Sequence, residues 1–416
     1  MSPSTAEYPG QAAGSHVLPR DWRSVRIDEL CRVTHGGTPS KDNPSFWVGN
    51  IPWVSPKDMR STVIEGAQDH ISEEAVENSA TNLASPGTIL VVARSGILAR
   101  AAPVAVTSVR VAFNQDIKAI EPDPTKVDVW FLYWTRKFYE PIVLARGVKK
   151  GATVHSIRSG FLESLEIPIP PMHEQRRIAT VLGEQMAAAE RARAAAEAQL
   201  EAAKALPAAQ LRSVFDGPAA QAWSRQRVST LCKSIDYGYT ATADYGALGP
   251  RYLRITDTQD GKIEWTSVPG CHIASEDEKS KALADGDIVF ARTGATTGKS
   301  ILIRRPPRAV FASYLIRLRP TDDVTPEYLY AFFQSDGYWR QIRALARGGA
   351  QPNVNATLLG SIEVPVCPRS EQERFCTEVA SNEGIVGALR LAAERQLLSV
   401  DALPAALLRR AFSGEL

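Results

Sequence analysis

A chain of 416 residues, 44% hydrophobic and 23% charged, has the composition of a folded polypeptide and the length of roughly two to four domains. It holds no apolar run of about 18 residues, which excludes a transmembrane helix. Five scattered cysteines with no CxxC pair argue against a zinc site or disulfide framework and fit a reducing, cytoplasmic setting, while a formal net charge of +2 selects no partner by itself.

Residues 1–20, rich in small residues, Pro and Gly, read as a flexible tail without a signal pattern. Residues 21–167 form a first α/β domain: the β-type runs TILVVA, VAVTSV and IKAI precede a helix-like aromatic segment, VDVWFLYWTRKF, whose rings belong to the core. Residues 168–217 are a helical spacer dense in Ala, Glu, Gln, Arg and Leu. Residues 218–364 return to mixed patterning, with YLRIT, DIVFA and SILIRR as strands and PEYLYAFFQSDGYW as the aromatic helix. A second helical spacer occupies 365–416.

The chain repeats itself. EIPIPPMHEQRRI, from Glu166, returns as EVPVCPRSEQERF, from Glu363; ALPAAQLRSVFDG, from Ala205, returns as ALPAALLRRAFSG, from Ala402. The shift is 197 residues for each pair. Upstream, Trp22, Leu30 and Cys31 match Trp223, Leu231 and Cys232 at 201, so short insertions separate the copies. Ile178, Leu182, Gln185, Ala189, Ala192, Ala196, Gln199, Ala203 and Leu206 alternate four and three apart. The matching Phe375, Val379, Asn382, Val386, Leu389, Ala393, Gln396, Val400 and Leu403 repeat the seam. Two long antiparallel coiled-coil helices follow from this pattern, each ended near its proline, Pro207 or Pro404. The fold class is α/β: a tandem duplication of two α/β domains separated by the two helices, with pseudo-twofold symmetry.

Basic and polar residues punctuate the turns, and a set of these confined to loops of a duplicated domain favours a nucleic-acid face. Arg and Lys neutralise phosphates; Arg, Asn and Gln pair with base edges. Candidate DNA-binding residues are Lys57, Arg94, Ser95 and Ser156 in the first domain, with Arg254, Arg292, Thr293, Thr296, Lys299, Gln351 and Asn353 in the second. Arg94 and Arg292 stand at matching places after a β-run. Two motifs imitate catalytic loops. GATTGKS, from Gly294, is one residue short of a phosphate-binding loop and leads into a strand-like Ile301-Leu302-Ile303 where a helix is required. NPSF, from Asn43, lacks the second proline of an amino-methyltransferase motif and reads as a turn. No catalytic, cofactor or metal site is expected in the chain.

HGGTPSKDNPSFW with IPWVSPKDM, GDIVFARTGATTGK, IPIPPMHEQRRI and ALLRRAFSGEL, in that order and in duplicate, resemble the specificity subunits of Type I restriction–modification systems. The resemblance covers nearly the whole chain. It implies two target-recognition domains reading the halves of a bipartite double-stranded DNA site, with the helices as a ruler for the gap. It also implies two methyltransferase subunits on the helical region and, optionally, two restriction subunits. S-adenosylmethionine, ATP and Mg would belong to those partners, and no membrane is involved. Two other readings of the same residues are a non-catalytic coiled-coil interaction scaffold and a nucleotide-binding protein using GATTGKS.

Overall fold

A computed structural model describes residues 19–259, 261–294, 296–345 and 354–416. Two compact units result: Met1–Ala195 with Gln396–Leu416, and Ala196–Arg395. Each long helix, Met172–Phe215 and Arg369–Ser413, therefore gives one half to each unit.

In the first unit a five-stranded sheet runs in the order Cys31–His35, Ile117–Pro122, Ile89–Val92, Val104–Thr107 and Val63–Ile64. A four-stranded sheet runs Asp69–Ile71, Ile51–Val54, Val111–Phe113 and Asn82–Ala84. Ile89–Val92 is buried along its whole length. Because side chains alternate across a strand, Ile89 and Val91 enter the core under the aromatic helix, and Leu90 and Val92 enter a core on the other face. The second unit repeats the device. Its sheet runs Cys232–Tyr237, Leu315–Pro320, Ile288–Ala291 and Ser300–Leu302; Ile288 and Phe290 face one core and Val289 the other. The expected strands are thus present, although YLRIT yields only Arg251–Leu253 before a 3-10 turn. The aromatic segments become Val129–Phe138 in the first unit and two helices, Pro326–Phe333 and Asp336–Leu345, in the second.

Entry and exit strands pair in each unit. Arg23–Arg26 lies antiparallel to Glu166–Ile169, and Ser224–Arg227 to Glu363–Val366. The repeated EIPIP and EVPVC segments are these closing strands. The repeated Glu-Gln pair that follows supplies the deepest polar contact. Gln175 Oε1 accepts from the Asp128 backbone N–H (2.8 Å) while Nε2 donates to the Lys126 and Pro170 carbonyls (3.2 and 3.0 Å). Gln372 does the same with the Thr325 N–H (2.9 Å) and the Asp323 and Cys367 carbonyls (3.2 and 2.9 Å). Both amides are buried, and each satisfies three backbone groups at buried or partly buried places. Asp128 and Thr325 in turn cap the aromatic helices through their own side chains.

Within the first unit the two helix halves are antiparallel: Arg177 donates to the Leu416 carbonyl and Arg193 pairs with Asp401 at 3.2 Å. The seam departs from strict heptads. Ile178, Leu182, Ala189, Ala196 and Ala203 are buried, as are Phe375, Ala393 and Val400. Gln199 and Gln396 face solvent while Leu200 and Leu397 take half-buried places beside them. Leu206, Leu389 and Leu403 are 44%, 47% and 41% exposed. A nearly straight helix drifts against a seven-residue repeat. The expected breaks at Pro207 and Pro404 are also corrected, since both prolines lie inside their helices. One lost backbone bond is outweighed by aromatic anchoring of the last turn. Phe412 sits 5.6 Å from Phe131 and 4.9 Å from Phe138; Phe215 sits 5.1 Å from Tyr328 and 5.4 Å from Phe332.

One buried group has no match between the copies. Arg136 is 2% exposed in the first core, and its Nε and Nη1 lack hydrogen-bond partners. Burial pushes its guanidinium down to about 10, with the Glu140 carboxylate opposing. At the corresponding place Phe333 packs on Phe290 at 4.8 Å.

Two outcomes follow for denaturant unfolding of the purified protein. Gln372→Ala strands two buried backbone groups and one partly buried carbonyl and is expected to cost about 2–4 kcal/mol; a change within experimental error would show that the amide is not the anchor described. Arg136→Phe removes an unpaired buried charge and is expected to stabilise by about 1–4 kcal/mol, visible as a raised midpoint, whereas a lowered one would contradict it.

Candidate nucleic-acid interface

Arg94 and Arg292 emerge where the same central strand ends in each unit. In the first, the Ala93 and Arg94 N–H groups both donate to the Asp116 carbonyl (2.7 and 3.0 Å). This two-to-one contact is a bulge, and it absorbs the extra residue of TILVVAR relative to DIVFAR. Arg94 and Ser95 then pair antiparallel with Ser156 and His155. Arg94, Ser95 and Ser156 are therefore neighbours on one small ladder, with Arg94 exposed. Ser95 has a local task as well, since its Oγ accepts from the Ile97 N–H (3.3 Å) and caps a 3-10 turn. Lys57 is tied to Asp69 at 2.8 Å, and that hydrogen bond holds its ammonium above the usual lysine range.

In the second unit the Arg292 N–H donates to the Tyr314 carbonyl (3.2 Å), and the Arg292 carbonyl accepts from the Val354 N–H (3.1 Å). Its guanidinium stands 5.1 Å over the Tyr237 ring, a favourable cation–π distance. Tyr237 is itself fixed, its hydroxyl accepting from the Ala356 N–H (3.0 Å). Arg254 is differently placed. Nε and Nη2 donate to Asp257 (3.0 and 2.7 Å), and Nη2 also reaches the Tyr245 hydroxyl (3.3 Å). With its fork engaged, Arg254 positions Tyr245 more than it offers donors outward.

Thr293, Thr296 and Lys299 belong to the turn between Ile288–Ala291 and Ser300–Leu302, two antiparallel strands. The Ala291 N–H donates to the Lys299 carbonyl and the Thr297 N–H to the Gly294 carbonyl (2.9 and 3.1 Å); Gly294 and Gly298 take positive φ. The described residues of GATTGKS link two antiparallel strands, and a strand, not a helix N-terminus, follows them. Thr293 and Lys299 are exposed on it, and Thr296 is half-buried. NPSF forms a 3-10 turn capped by Asn43, whose Oδ1 accepts from the Ser45 N–H (3.1 Å). Gln351 and Asn353 lie outside the described residues.

The sequence reading passed over the tyrosines beside these arginines. Tyr237, Tyr245 and Tyr314 are all partly exposed, and arginine alternating with tyrosine is a face suited to phosphate and base contact. YGYTATADY, with tyrosines outside any apolar periodicity, was the available signal.

A separate groove of about 1000 Å³ lies in the first unit. Trp130, Tyr133 and Trp134 of the aromatic helix form one wall; Ala179, Gly183 and Met186 of the long helix form the other. Arg60, Glu184, Glu190, Arg193 and Asp401 also line it, so charged groups of both signs surround its aromatic wall.

The family described as Type I restriction modification DNA specificity domain matches residues 19–195 and 247–376. The chain is 39% identical over 163 residues to the Type I restriction enzyme EcoR124I/EcoR124II specificity subunit of Escherichia coli, covering 39% of this chain and 40% of that protein. It is 20% identical over 401 residues to the MjaVIII specificity subunit of Methanocaldococcus jannaschii, covering 89% and 88%. The chain thus spans about two fifths of the first relative's length and most of the second's. Among solved structures, the HsdS subunit from Thermoanaerobacter tengcongensis has the same fold, with a TM-score of 0.63, 20% identity and coverage of 97% and 99%. A chain from a structural study of a type I R-M system gives a TM-score of 0.67 at 19% identity, covering 97% and 100%. With the matched segments spanning well over half of its length, the chain belongs to the family of Type I restriction–modification DNA specificity proteins.

Proposed function

We propose that this chain is the specificity subunit of a Type I restriction–modification complex, a non-catalytic reader of a bipartite double-stranded DNA site. The observation that carries the reading is the duplicated station of Arg94 and Arg292. Each arginine leaves the end of the same strand in a unit whose loops otherwise differ. One scaffold then supports two different sequence preferences, with phosphate contacts positioning and base contacts specifying. Lys57, Ser95 and Ser156 in the first unit are assigned to the same face. So are Arg254, Thr293, Thr296, Lys299, Gln351 and Asn353 in the second, with Arg254 acting through Tyr245. The long helices set the gap between half-sites in a pseudo-twofold arrangement, and the protein works in the cytoplasm.

Two methyltransferase subunits would dock on the helical region. The groove between Trp130 and Met186, aromatic on one wall and lined also by charged Arg60, Glu184, Glu190 and Arg193, and the outward apolar Ile385, Leu389 and Leu398 are surfaces of the kind a protein partner covers. Two restriction subunits would join optionally, and S-adenosylmethionine, ATP and Mg would be held by the partners.

The test is single-molecule mapping of methylated adenines in cells expressing the chain with its cognate methyltransferase. A split motif is expected, with one methylated adenine per half on opposite strands, and exchanging residues 21–167 should change one half only. No new methylation despite an assembled complex would overturn the assignment. Arg292→Ala should weaken binding to the mapped site by about 1–3 kcal/mol and relax the second half while sparing the first. Equal loss on unrelated duplexes would reduce Arg292 to a phosphate contact.

A further inference from the structure

The most exposed large apolar side chain of each unit, among the described residues, occupies the same station. In the first unit it is Val48, 76% exposed; in the second, Leu248, 97% exposed. A glycine follows each, Gly49 and Gly249, and then a strand, Ile51–Val54 or Arg251–Leu253. Each of these strands runs parallel to its partner, Val111–Phe113 or Ala309–Phe311. The glycines are pressed against backbone: a Cβ on Gly49 would collide with the Ile71 carbonyl, and one on Gly249 with the Cys271 carbonyl. Valine and leucine, the glycines, and the two carbonyl residues are all 200 positions apart, in a stretch where the loops leading in differ in length and sequence.

A single exposed leucine needs no explanation. The same exposure at one station in two diverged copies, each behind a glycine that no other residue can replace, does. The loops are also braced. In the first unit the Ser72 N–H donates to the Phe46 carbonyl (3.0 Å), and Trp47 Nε1 donates to the Ser40 carbonyl (3.1 Å). In the second, Asp244 and Gly270 exchange two backbone bonds of 2.9 Å, and the Cys271 N–H donates to the Pro250 carbonyl (3.2 Å). The apolar side chain is therefore held out at a fixed point.

The surroundings select the occupant. Tyr245, 74% exposed and three residues before Leu248, lies 5.9 Å beneath the Arg254 guanidinium. Asp244, the nearby acid, is turned to the Gly246 N–H (2.8 Å) and stands 3.7 Å from His272 Nε2. In the first unit Thr38, at the root of the loop, donates to Gln115, next to the Asp116 carbonyl that receives the Arg94 N–H. The root of each loop thus borders its unit's arginine station, Thr38 beside that of Arg94 and Tyr237 beneath the Arg292 guanidinium. In the second unit the apolar tip is rimmed by cation and phenol, which matches a polyanion with flat apolar interior faces, namely duplex DNA. An apolar protein pocket would meet an apolar rim.

We propose that Val48 and Leu248 are apolar prongs, each entering the groove of its own half-site and opening a base step, so that each unit reads deformability in addition to hydrogen-bond pattern. The proposal rests on the DNA-reading function. Its test uses the full chain in complex with its methyltransferase subunits, and duplexes carrying 2-aminopurine at successive positions of the mapped site. Local fluorescence should rise severalfold at one step in each half. Leu248→Ser should abolish the second signal, leave the first, and weaken binding roughly tenfold; Val48→Ser should do the converse, and Leu248→Met should retain the signal. Site-specific binding without any unstacking signal overturns the prongs and leaves the DNA reading standing, as does an unchanged signal and affinity in Leu248→Ser. Loss of the methyltransferase subunits from the Leu248→Ser complex assigns the side chain to a protein contact and likewise overturns the proposal. A wild-type complex that binds the mapped site no better than random duplex removes the DNA reading itself.

Discussion

One buried side-chain amide in each unit decides how a β-rich domain is mounted on a helix. Gln175 and Gln372 each accept one backbone N–H and donate to two carbonyls. The groups they join come from three places: the turn before the aromatic helix, the first residue of that helix's cap, and the strand end before the long helix. An aliphatic residue of the same size would leave these polar groups unpaired at buried or partly buried places, which costs more than the amide's own desolvation. Because the amide is fixed in the first turn of the long helix, the aromatic helix and its sheet take their orientation from it. The arginine station then inherits that orientation through the central strand, which lies two places from Cys31–His35 or Cys232–Tyr237 in its sheet.

Much of this was legible in the residues. The repeated Glu-Gln pair, the closing strands and the 197-residue shift all came from comparing the chain with itself, because packed elements tolerate no insertion. Strand and helix types followed from apolar period, and the hairpin nature of GATTGKS followed from what comes after it. The long helices were read correctly and their ends were not. Pro207 and Pro404 look like terminators when only backbone bonding is counted. The ring contacts of Phe215 and Phe412 with aromatic helices far off in sequence could not be counted from spacing, and they outweigh one missing bond. The outward Gln199 and Gln396 have a similar origin, since a heptad template assumes a supercoil, and a seven-residue repeat drifts against an unsupercoiled helix.

The candidate site was legible in outline only. Arg94 and Arg292 were recoverable because each follows an apolar strand, a feature that local pattern reveals. Lys57 and Arg254 looked equivalent to them, yet their carboxylate partners, Asp69 and Asp257, occupy them. Asp69 lies twelve residues on, across a strand pair, where sequence distance gives no hint of it; Asp257 lies only three residues on, but its contact depends on a 3-10 turn that the YLRIT strand pattern does not announce. Tyr237 and Tyr245 were missed for the opposite reason. An aromatic residue is usually core, and only the fold reveals that these rings lie beside guanidinium groups at the surface.

Duplication and drift explain why the two units share an armature and differ at their tips. A substitution at Gln372 or Phe412 disturbs backbone groups or rings that have no alternative partners, so divergence there is strongly opposed by stability. The stretch from Thr38 to Asn50, or from Thr240 to Pro250, carries such a burden only at a few anchors: buried Phe46, the Asp244–Gly270 backbone pair, and Gly49 and Gly249 where they touch a carbonyl. Length and composition are therefore free to change between those anchors, and they have changed. The one pressure that stability cannot supply is the retention of an exposed aliphatic side chain immediately before the anchored glycine. Water would prefer a polar residue at that place, and folding is indifferent to the choice. A requirement outside the fold, at a surface facing a partner, is the remaining physical cause that acts on Val48 and Leu248 alike.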